Sequence, residues 1–426
     1  MTSRLVFQNT LFLTGSGFLT KFLAYFYFLI MTRCFEVGQI GVYGLLVTSM
    51  MFMEILANLG LDRIIVRELA RSTDNESIQT FHSAFFLKIT AAAGVYVASL
   101  LVFKYVYAEI YYSNRPALII FFLSILPLVA ARSLESWFMA KEKMHLPAFS
   151  QLLERVILLA AAGLAAWGKI GFKGFLITAF IAVTARMLAI SLAFPWASSR
   201  RSWPTDLHQT RFLLGEASKM LAVEMLAVIY FRVDLFLLTK MTDLKLVGLY
   251  HVSYKVFDFF ITFFAGYLTA VFPTLSRQRE RFALGRNLIL GGAITALVAL
   301  TVILLRAPLL SIFRPEYLAG RTALTLLMLT LPLSFVTSLL ANFAVASERI
   351  ALLVRIALVL VAGNLGLNFL LIPRLSIEGA ALATLLTEIL SAALMLACLW
   401  TAIVKNQNVS ADFVPLGESR SHEHKS

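Results

Sequence analysis

The sequence predicts an all-α polytopic membrane protein with about twelve transmembrane helices in two parallel six-helix repeats, both termini lying in the cytoplasm. Three observations support this fold class: the composition, the spacing of the apolar runs and an internal repeat. Of the 426 residues, 59% are hydrophobic and 14% are charged. Soluble globular domains have about 45–50% apolar and about 25% charged residues. The composition therefore excludes a water-soluble enzyme.

Apolar runs of spanning length follow one another along the whole chain. A helix needs about 20 apolar residues to cross the hydrocarbon core of a bilayer. The predicted spans lie at about 9–32, 40–61, 81–103, 116–140, 149–168, 172–195, 212–239, 247–272, 286–305, 322–347, 350–372 and 378–404. The connections are short, so we expect no large domain outside the membrane.

The basic residues orient these spans. Cytoplasmic loops of membrane proteins are enriched in Lys and Arg, and the inner segments hold more of both when the N-terminus is placed inside. The net charge of +13 then favours anionic lipid headgroups or an anionic cargo as partners. In this setting we expect no nucleic acid partner.

Short segments recur at an offset of about 206 residues, which indicates a duplication. The matching pairs are Thr32-Arg33 with Thr239-Lys240, Gly41-Val42-Tyr43 with Gly248-Leu249-Tyr250, Leu126-Pro127-Leu128 with Leu331-Pro332-Leu333, Ala140-Lys141-Glu142-Lys143 with Ala346-Ser347-Glu348-Arg349, and Lys173-Gly174 with Glu378-Gly379. Six spans are an even number, so the two halves keep the same orientation. We expect an N-lobe over 1–197, a cytoplasmic linker over 198–211, a C-lobe over 212–404 and a disordered polar tail over 405–426.

Charged and polar residues inside the spans mark the candidate site. A charge at the centre of a span costs about 2.5–3.5 kcal/mol, so it usually faces a cavity or a partner. Lys21 has no acid within one turn of its helix, and we expect it to line a cavity. The candidate cavity residues are Lys21, Tyr25, Arg132, Arg232, Lys255, Asn364 and Asn368, and the candidate ion-coupling acids are Glu54, Glu224, Asp234 and Asp258.

A structural role competes with this interpretation for several of these residues. Helical spacing pairs Arg132 with Glu135, Arg232 with Asp234, and Lys255 with Asp258, and these pairs could simply hold the bundle together. Asn pairs in membrane helices often bind neighbouring helices. Spans 1, 2, 7 and 8 nevertheless hold most of the charged groups, which predicts a hydrated, net basic cleft between the lobes.

Several catalytic patterns are missing from the sequence. It has no G-x-x-x-x-G-K-[ST] phosphate loop and no H-E-x-x-H metal motif. We therefore expect no enzyme activity, no cofactor and no metal, and a transporter driven by an ion gradient or by the cargo gradient. A duplicated scaffold that transports nothing is the alternative.

The stretch 60–71 forms a basic stripe, because Arg63, Arg67 and Arg71 recur every four residues. An amphipathic helix lying on the anionic inner leaflet explains this pattern. Contact with a phosphorylated cargo at the inner entrance is the alternative.

Motifs along the whole chain resemble the polysaccharide transporter family, the Wzx-type oligosaccharide flippases. They are Asn9-Thr10, Gly15-Ser16-Gly17, Thr32-Arg33, Gly41-Val42-Tyr43, the stretch 60–71, Arg232-Val233-Asp234, Gly248-Leu249-Tyr250, Phe272-Pro273-Thr274-Leu275-Ser276 and Ile377-Glu378-Gly379-Ala380-Ala381. The resemblance implies the multidrug/oligosaccharidyl-lipid/polysaccharide (MOP) exporter superfamily and a MOP/MATE-like fold in a bacterial inner membrane. The implied cargo is a polyprenyl-diphosphate-linked glycan, which crosses by alternating access through a cationic central cavity.

The same resemblance implies that Lys21 and Lys255 are cations of the cavity. It also implies glycosyltransferases and a glycan polymerase as further partners. Two alternatives stay open. One is an ion-coupled small-molecule antiporter of the MATE or major facilitator type, and the other is a membrane glycan polymerase or ligase. Asp62-Arg63 is similar to the inner-loop motif of the major facilitators, but the residues that should follow are absent.

Overall fold

Long helices, packed side by side, make up the protein in the computed structural model. The structure describes residues 3–71, 74–196, 207–276, 282–347 and 349–411, and no strand occurs in these ranges. The helices of the first half are α1 (Ser3–Cys34), α2 (Val37–Asn58), α3 (Leu61–Arg71), α4 (Asp74–Val106), α5 (Ala108–Leu123), α6 (Ile125–Ala140), α7 (His145–Ala166) and α8 (Phe172–Ser191).

The second half repeats this order without a counterpart of α3. Its helices are α9 (Leu207–Met241), α10 (Leu244–Ser276), α11 (Phe282–Leu304), α12 (Arg306–Phe313), a 3-10 helix (Pro315–Gly320), α13 (Arg321–Ala346) and α14 (Ile350–Ala411). Most of the predicted linker, 198–206, lies outside the described residues, and 207–211 forms the first turn of α9. The predicted tail also lies outside them from 412 onward, whereas α14 continues through 405–411.

The number of spans agrees with the sequence. By length and composition, eight helices among the described residues can cross a membrane, and one of these covers Ile350–Leu399. That helix breaks at Ser376, where φ is 50° and ψ is −125°, three residues after Pro373, so it supplies two spans. The long charged helices α1, α9 and α10 complete the twelve. Proline lacks the backbone N–H that a helix interior needs, which explains why this helix breaks here.

Each half is a bundle of its own, and the two meet mainly through three helices. In the first half α1 packs on α7 and α8 on α6 and α7, while in the second half α13 and α14 form the centre. Contacts between the halves run mainly from α2 to α9 and α10, with α3 also touching α9. The predicted N-lobe and C-lobe meet along spans 2, 7 and 8, the region where sequence analysis expects the cleft.

The duplication is visible in matching contacts. Tyr27 and Tyr43 of the first half share a hydrogen bond between hydroxyls at 3.2 Å. At the equivalent positions of the second half, the Tyr250 hydroxyl donates to the Asp234 carboxylate. Both pairs lie 16 residues apart and join the first two spans of their half. The repeat found in the sequence therefore corresponds to equivalent helix contacts.

Helix α3 differs from the prediction for 60–71. Its apolar residues Leu61, Ile64, Ile65 and Leu69 are buried against α4, α6 and α9, whereas Arg63 is exposed. A helix on the leaflet would place its apolar face in lipid, but here the protein itself covers that face. The spacing of the bases could not distinguish these two settings.

Candidate functional site

A group of cations lies at middle depth where α1 meets α10. The Tyr25 hydroxyl donates to the carbonyl oxygen of Lys255 at 2.8 Å, and the Tyr25 ring packs edge-on against Phe259. Lys21 precedes Tyr25 by one helical turn, so both lie on the same face of α1. The Lys21 side chain is exposed and has no hydrogen bond or ion pair in the part of the chain that the structure describes.

The second half adds two cations and one acid at this depth. Arg232 donates from Nη2 to Oδ1 of Asp258 at 3.0 Å, and its guanidinium lies 4.4 Å from the centre of the Tyr254 ring. The Lys255 ammonium is 4.0 Å from Oδ2 of Asp258. About a third of each of these two side chains is exposed (32% and 32%). Arg232 and Lys255 thus share the carboxylate of Asp258, and Lys21 adds a third cation one helical turn from Tyr25.

The predicted pairing of Arg232 with Asp234 is wrong, because Arg232 pairs with Asp258. Asp234 is buried and accepts hydrogen bonds from the Tyr250 hydroxyl and the Leu235 backbone N–H. Residues two apart point to different sides of a helix, so a direct Arg232–Asp234 contact was a poor expectation. Lys255 does pair with Asp258, although the two charged groups are 4.0 Å apart.

A second polar group lies nearer the cytoplasm on the first half. Nε of Arg132 donates to Oε1 of Glu54 at 2.7 Å, with 42% and 25% of the two side chains exposed. The predicted pairing of Arg132 with Glu135 is therefore wrong. Glu135 instead accepts two hydrogen bonds from Arg186, each at 2.8 Å.

Glu224 of α9 faces this group from the other half. It is half-buried and has no hydrogen bond or ion pair among the described residues. The charges that act on its carboxylate are those of Arg63, Asp62 and Glu54 of the first half, together with Lys88. Glu224 and Glu54 therefore approach the same inner part of the cleft from opposite sides.

Sequence analysis missed three charged residues inside the spans. Arg186 bridges Glu135 and Glu154, donating to the latter at 2.7 Å. Lys88, whose side chain is fully buried, donates to Asp62 at 2.6 Å. Glu388 is buried and accepts hydrogen bonds from the Tyr230 and Thr337 hydroxyls. Each is a charge inside a predicted apolar run, and that simple signal could have identified them.

The Lys88–Asp62 contact holds α3 against α4. Asn58 also donates to the Asp62 carboxylate, at 2.5 Å. Burial raises the pKa of Asp62, but the Lys88 charge and the hydrogen bonds from Lys88 and Asn58 outweigh burial and leave the pKa below its usual value. Asp62 is therefore a structural anion at the inner end of the first half.

Asn364 and Asn368 are buried within α14, away from the cations of the middle level. Asn368 donates to Oδ1 of Asn364 at 3.0 Å, and Asn364 donates to Thr387 at 3.3 Å. These contacts join the two spans of α14 across the break at Ser376. These hydrogen bonds favour a role in binding neighbouring helices together over a role in lining a cavity.

The second half also encloses a pocket of about 420 Å³ between α9, α10, α13 and α14. Its lining is almost entirely apolar and aromatic. Oε1 of Glu388 accepts from the Tyr230 hydroxyl at 2.8 Å, and Oε2 accepts from the Thr337 hydroxyl at 3.0 Å. No basic residue lies among the described residues that line the pocket.

The two halves meet in a glycine crossing on the outer side of the charged groups. A Cβ added at Gly41 would collide with the Leu244 carbonyl oxygen, and one added at Gly248 would collide with that of Val37. Gly41 and Gly248 are equivalent positions in the repeat, and so are Val37 and Leu244. The contact is reciprocal, as expected for elements related by a two-fold axis.

Two further contacts on the outer side follow the same symmetry. Arg33 of α1 donates to the Ile312 carbonyl oxygen of α12 at 2.8 Å. The matching base of the second half, Lys240, lies 5.5 Å from the centre of the Tyr107 ring of the first half. Each outer base thus holds the opposite half.

On the inner side, the turn between α2 and α3 touches α9. Gly60 has a φ of +74°, and an added Cβ would lie 2.7 Å from both the Ala217 carbonyl oxygen and the Leu221 nitrogen. A positive φ suits glycine, and the close approach also requires it. The halves therefore touch at both ends of α2, on either side of the charged groups.

The model of the polysaccharide biosynthesis protein family matches residues 6–279, more than half of the chain. The protein belongs to this family. The resemblance to the polysaccharide transporters, which the motifs indicated, is confirmed. A search of curated proteins finds no match.

Solved structures show how far the fold of this polysaccharide biosynthesis family member is shared. The lipid II flippase MurJ in an inward closed conformation is 14% identical, with a TM-score of 0.76 over 95% of this chain and 94% of that chain. An inward-facing multidrug resistance MATE family transporter of the MOP superfamily is 12% identical, with a TM-score of 0.69 over 90% and 95%. The Vibrio cholerae MATE transporter VcmN is 15% identical, with a TM-score of 0.63 over 95% and 97%.

Family and fold together confirm the predicted architecture of the MOP exporters. The chain is a multi-pass membrane protein that shares the fold of these transporters. At these identities the structural likeness establishes the fold alone, so the cargo has to be argued from the side chains of the cleft.

Proposed function

We propose that the protein is a flippase that moves a polyprenyl-diphosphate-linked oligosaccharide from the inner to the outer leaflet of a bacterial inner membrane. The cargo would be a repeat unit of O-antigen, capsule or exopolysaccharide. The observation behind the proposal is the excess of cations at middle depth, where Arg232 and Lys255 share the carboxylate of Asp258 and Lys21 has no ion pair among the described residues. A diphosphate would compensate this excess.

The chemistry of such a cargo agrees with the architecture. A glycan and a diphosphate cannot cross hydrocarbon unaided, whereas a polyprenyl tail can stay in lipid beside the bundle. Ionic contacts count for more in the low dielectric of the membrane than in water. A cationic cleft that opens to one side and then the other would therefore carry the polar headgroup across.

Binding of the lipid carrier tests the proposal directly. Purified protein in nanodiscs is titrated with undecaprenyl diphosphate, and Lys21→Ala and Lys255→Ala are compared with Lys173→Ala, an exposed lysine at the outer end of α8. We expect each cleft variant to weaken binding by about 10- to 160-fold, the loss of one charge-assisted contact of about 1.5–3 kcal/mol, while Lys173→Ala binds like the parent. Unchanged binding in both cleft variants would contradict the proposal.

A small-molecule antiporter is the second candidate, favoured by the pocket around Glu388. An apolar, aromatic pocket with one buried carboxylate and no basic side chain in its described lining suits a lipophilic cation. Tetraphenylphosphonium is a suitable probe. Saturable binding that Glu388→Gln abolishes, together with no binding of undecaprenyl diphosphate, would favour this candidate over the flippase.

A gradient would drive either cycle, and acids of the cleft are the candidate coupling groups. Glu54 and Asp258 are ion-paired in this structure, whereas Asp234 is bound by hydroxyl and backbone donors and Glu224 stands free of described partners. The pathway's glycosyltransferases and a glycan polymerase would supply and consume the cargo of a flippase and are proposed as its partners.

A further inference from the structure

The charged groups of the cleft lie at two depths. With a helical rise of 1.5 Å per residue, Lys255 lies about 16 Å from the outer end of α10 and Lys21 about 20 Å from that of α1. Glu54 and Glu224 each lie about 25 Å from the outer ends of α2 and α9. The inner level is thus about 5–10 Å closer to the cytoplasm than the middle level.

The two levels differ in charge. The middle level has the three cations Lys21, Arg232 and Lys255, and the one carboxylate that forms ion pairs with them among the described residues is Asp258, since Asp234 is held by Tyr250 and a backbone N–H. At the inner level Glu54 and Glu224 balance Arg132 and Arg63, whereas Asp62 and Lys88 neutralise each other. Carboxylates disfavour a second anion, so the inner level is a poor place for phosphate.

The same groups suit sugar hydroxyls. A carboxylate only accepts hydrogen bonds and a guanidinium only donates them, whereas a hydroxyl does both. Glu54 and Arg132 keep 25% and 42% of their side chains exposed within the bundle. Glu224 has no described partner, although a carboxylate inside a membrane usually faces water or a ligand.

We infer that the inner level, formed by Glu54, Arg132 and Glu224 beside Arg63, binds the glycan of the cargo while the middle level binds its diphosphate. This inference rests on the proposed flippase function. In such a cargo the first sugar is bonded directly to the diphosphate, so the two binding levels must be adjacent, as their spacing along the helices is. Glu224 comes from one half and Glu54 from the other, so the glycan would bind both halves at once.

Binding of two lipids that differ by one sugar tests the two levels separately. Undecaprenyl diphosphate and undecaprenyl diphosphate bearing one N-acetylglucosamine are titrated against protein in nanodiscs. The parent should bind the sugar-bearing lipid several-fold more tightly. Glu224→Gln should remove most of this gain while leaving the affinity for the sugar-free lipid unchanged.

Further variants complete the experiment. Glu54→Gln serves as the second inner-level variant, and Glu109→Gln, an exposed acid at the outer end of α5, as the matched control that keeps the full gain. Equal affinity of the parent for both lipids would overturn the inference, and so would a full gain retained by both inner-level variants. Failure of the proposed function looks different, since Lys21→Ala and Lys255→Ala would then leave the affinity for the sugar-free lipid unchanged.

Discussion

The two halves share a fold by duplication but stabilise their buried acids differently. In the first half Arg186 binds the buried acids Glu135 and Glu154, and Lys88 binds the half-buried Asp62. In the second half Asp234 and Glu388 are held by hydroxyl donors, from Tyr250 in one case and from Tyr230 and Thr337 in the other. One half is a fixed ionic framework, and the other contains acids that can exchange a proton without breaking an ion pair.

Removing Arg186, the cation that binds two buried acids of the first half, should have the largest effect on folding. Arg186→Ala removes the cation between Glu135 and Glu154, and it leaves Glu135 with hydrogen bonds from Ser150 and Gln151 and Glu154 with Arg155 at 3.3 Å. Breaking a buried ion pair costs about 3–5 kcal/mol. We expect poor membrane insertion or a strongly lowered thermal midpoint, measured on detergent-solubilised protein. Arg355→Ala, which removes an exposed arginine of α14, is the control. Wild-type stability of Arg186→Ala would show that the framework does not stabilise the half.

The glycine crossing is the place where the halves are alike, so equivalent changes should act equally. Gly41→Val and Gly248→Val each place a side chain where a backbone carbonyl lies. We expect both to disrupt the crossing and to reduce transport by more than tenfold, while the protein remains folded. Gly215→Val is the control, because an added Cβ meets nothing within 4 Å there. A large effect in only one of the two variants would contradict the symmetry of the crossing.

Removing the hydroxyls of the equivalent tyrosines should have a smaller effect on stability, and the effect should differ between the two halves. Tyr250→Phe removes a hydrogen bond to a carboxylate, worth about 1.5–3 kcal/mol, whereas Tyr43→Phe removes a neutral one, worth about 0.5–1.5 kcal/mol. Denaturant or thermal unfolding of the two variants measures the difference. Equal destabilisation would mean that Asp234 is not charged in the folded protein.

The smallest effect on stability is expected at Glu388. Gln keeps a carbonyl acceptor for Tyr230 and Thr337 and removes only the titrating group. Glu388→Gln should therefore change the free energy of unfolding, measured by thermal unfolding, by about 1 kcal/mol or less. Glu154→Gln in the first half should lower the stability more, because Arg186 then loses a charged partner. Greater damage from Glu388→Gln than from Glu154→Gln would reverse the comparison.

The sequence predicted the spans well because each apolar run in this chain corresponds to a spanning helix. Even the break in α14 follows a proline that separates two predicted runs. The duplication was also readable, since glycines at the crossing allow no substitution that would hide the repeat. In this sense Gly41 and Gly248 are both a sequence signal and a packing constraint.

Pairing of charges was predictable only in part. Spacing along one helix suggested Glu135 for Arg132 and Asp234 for Arg232, but the actual partners, Glu54 and Asp258, lie on other helices. A one-dimensional pattern contains no information about which helix faces lie opposite each other. For the same reason the basic stripe of α3 did not reveal that its apolar face packs on the protein.

Thiol accessibility at Lys21 and Lys255 tests most directly whether cations from both halves line one hydrated cleft. In a background with Cys34 and Cys398 replaced by Ser, the variants Lys21→Cys and Lys255→Cys are treated with a charged methanethiosulfonate reagent in the presence and absence of undecaprenyl diphosphate. Ile289→Cys, on the exposed outer face of α11, is the lipid-facing control. We predict that both cleft positions react and are protected by the lipid while Ile289→Cys stays unreactive; two cleft positions as inert as Ile289→Cys would contradict the account.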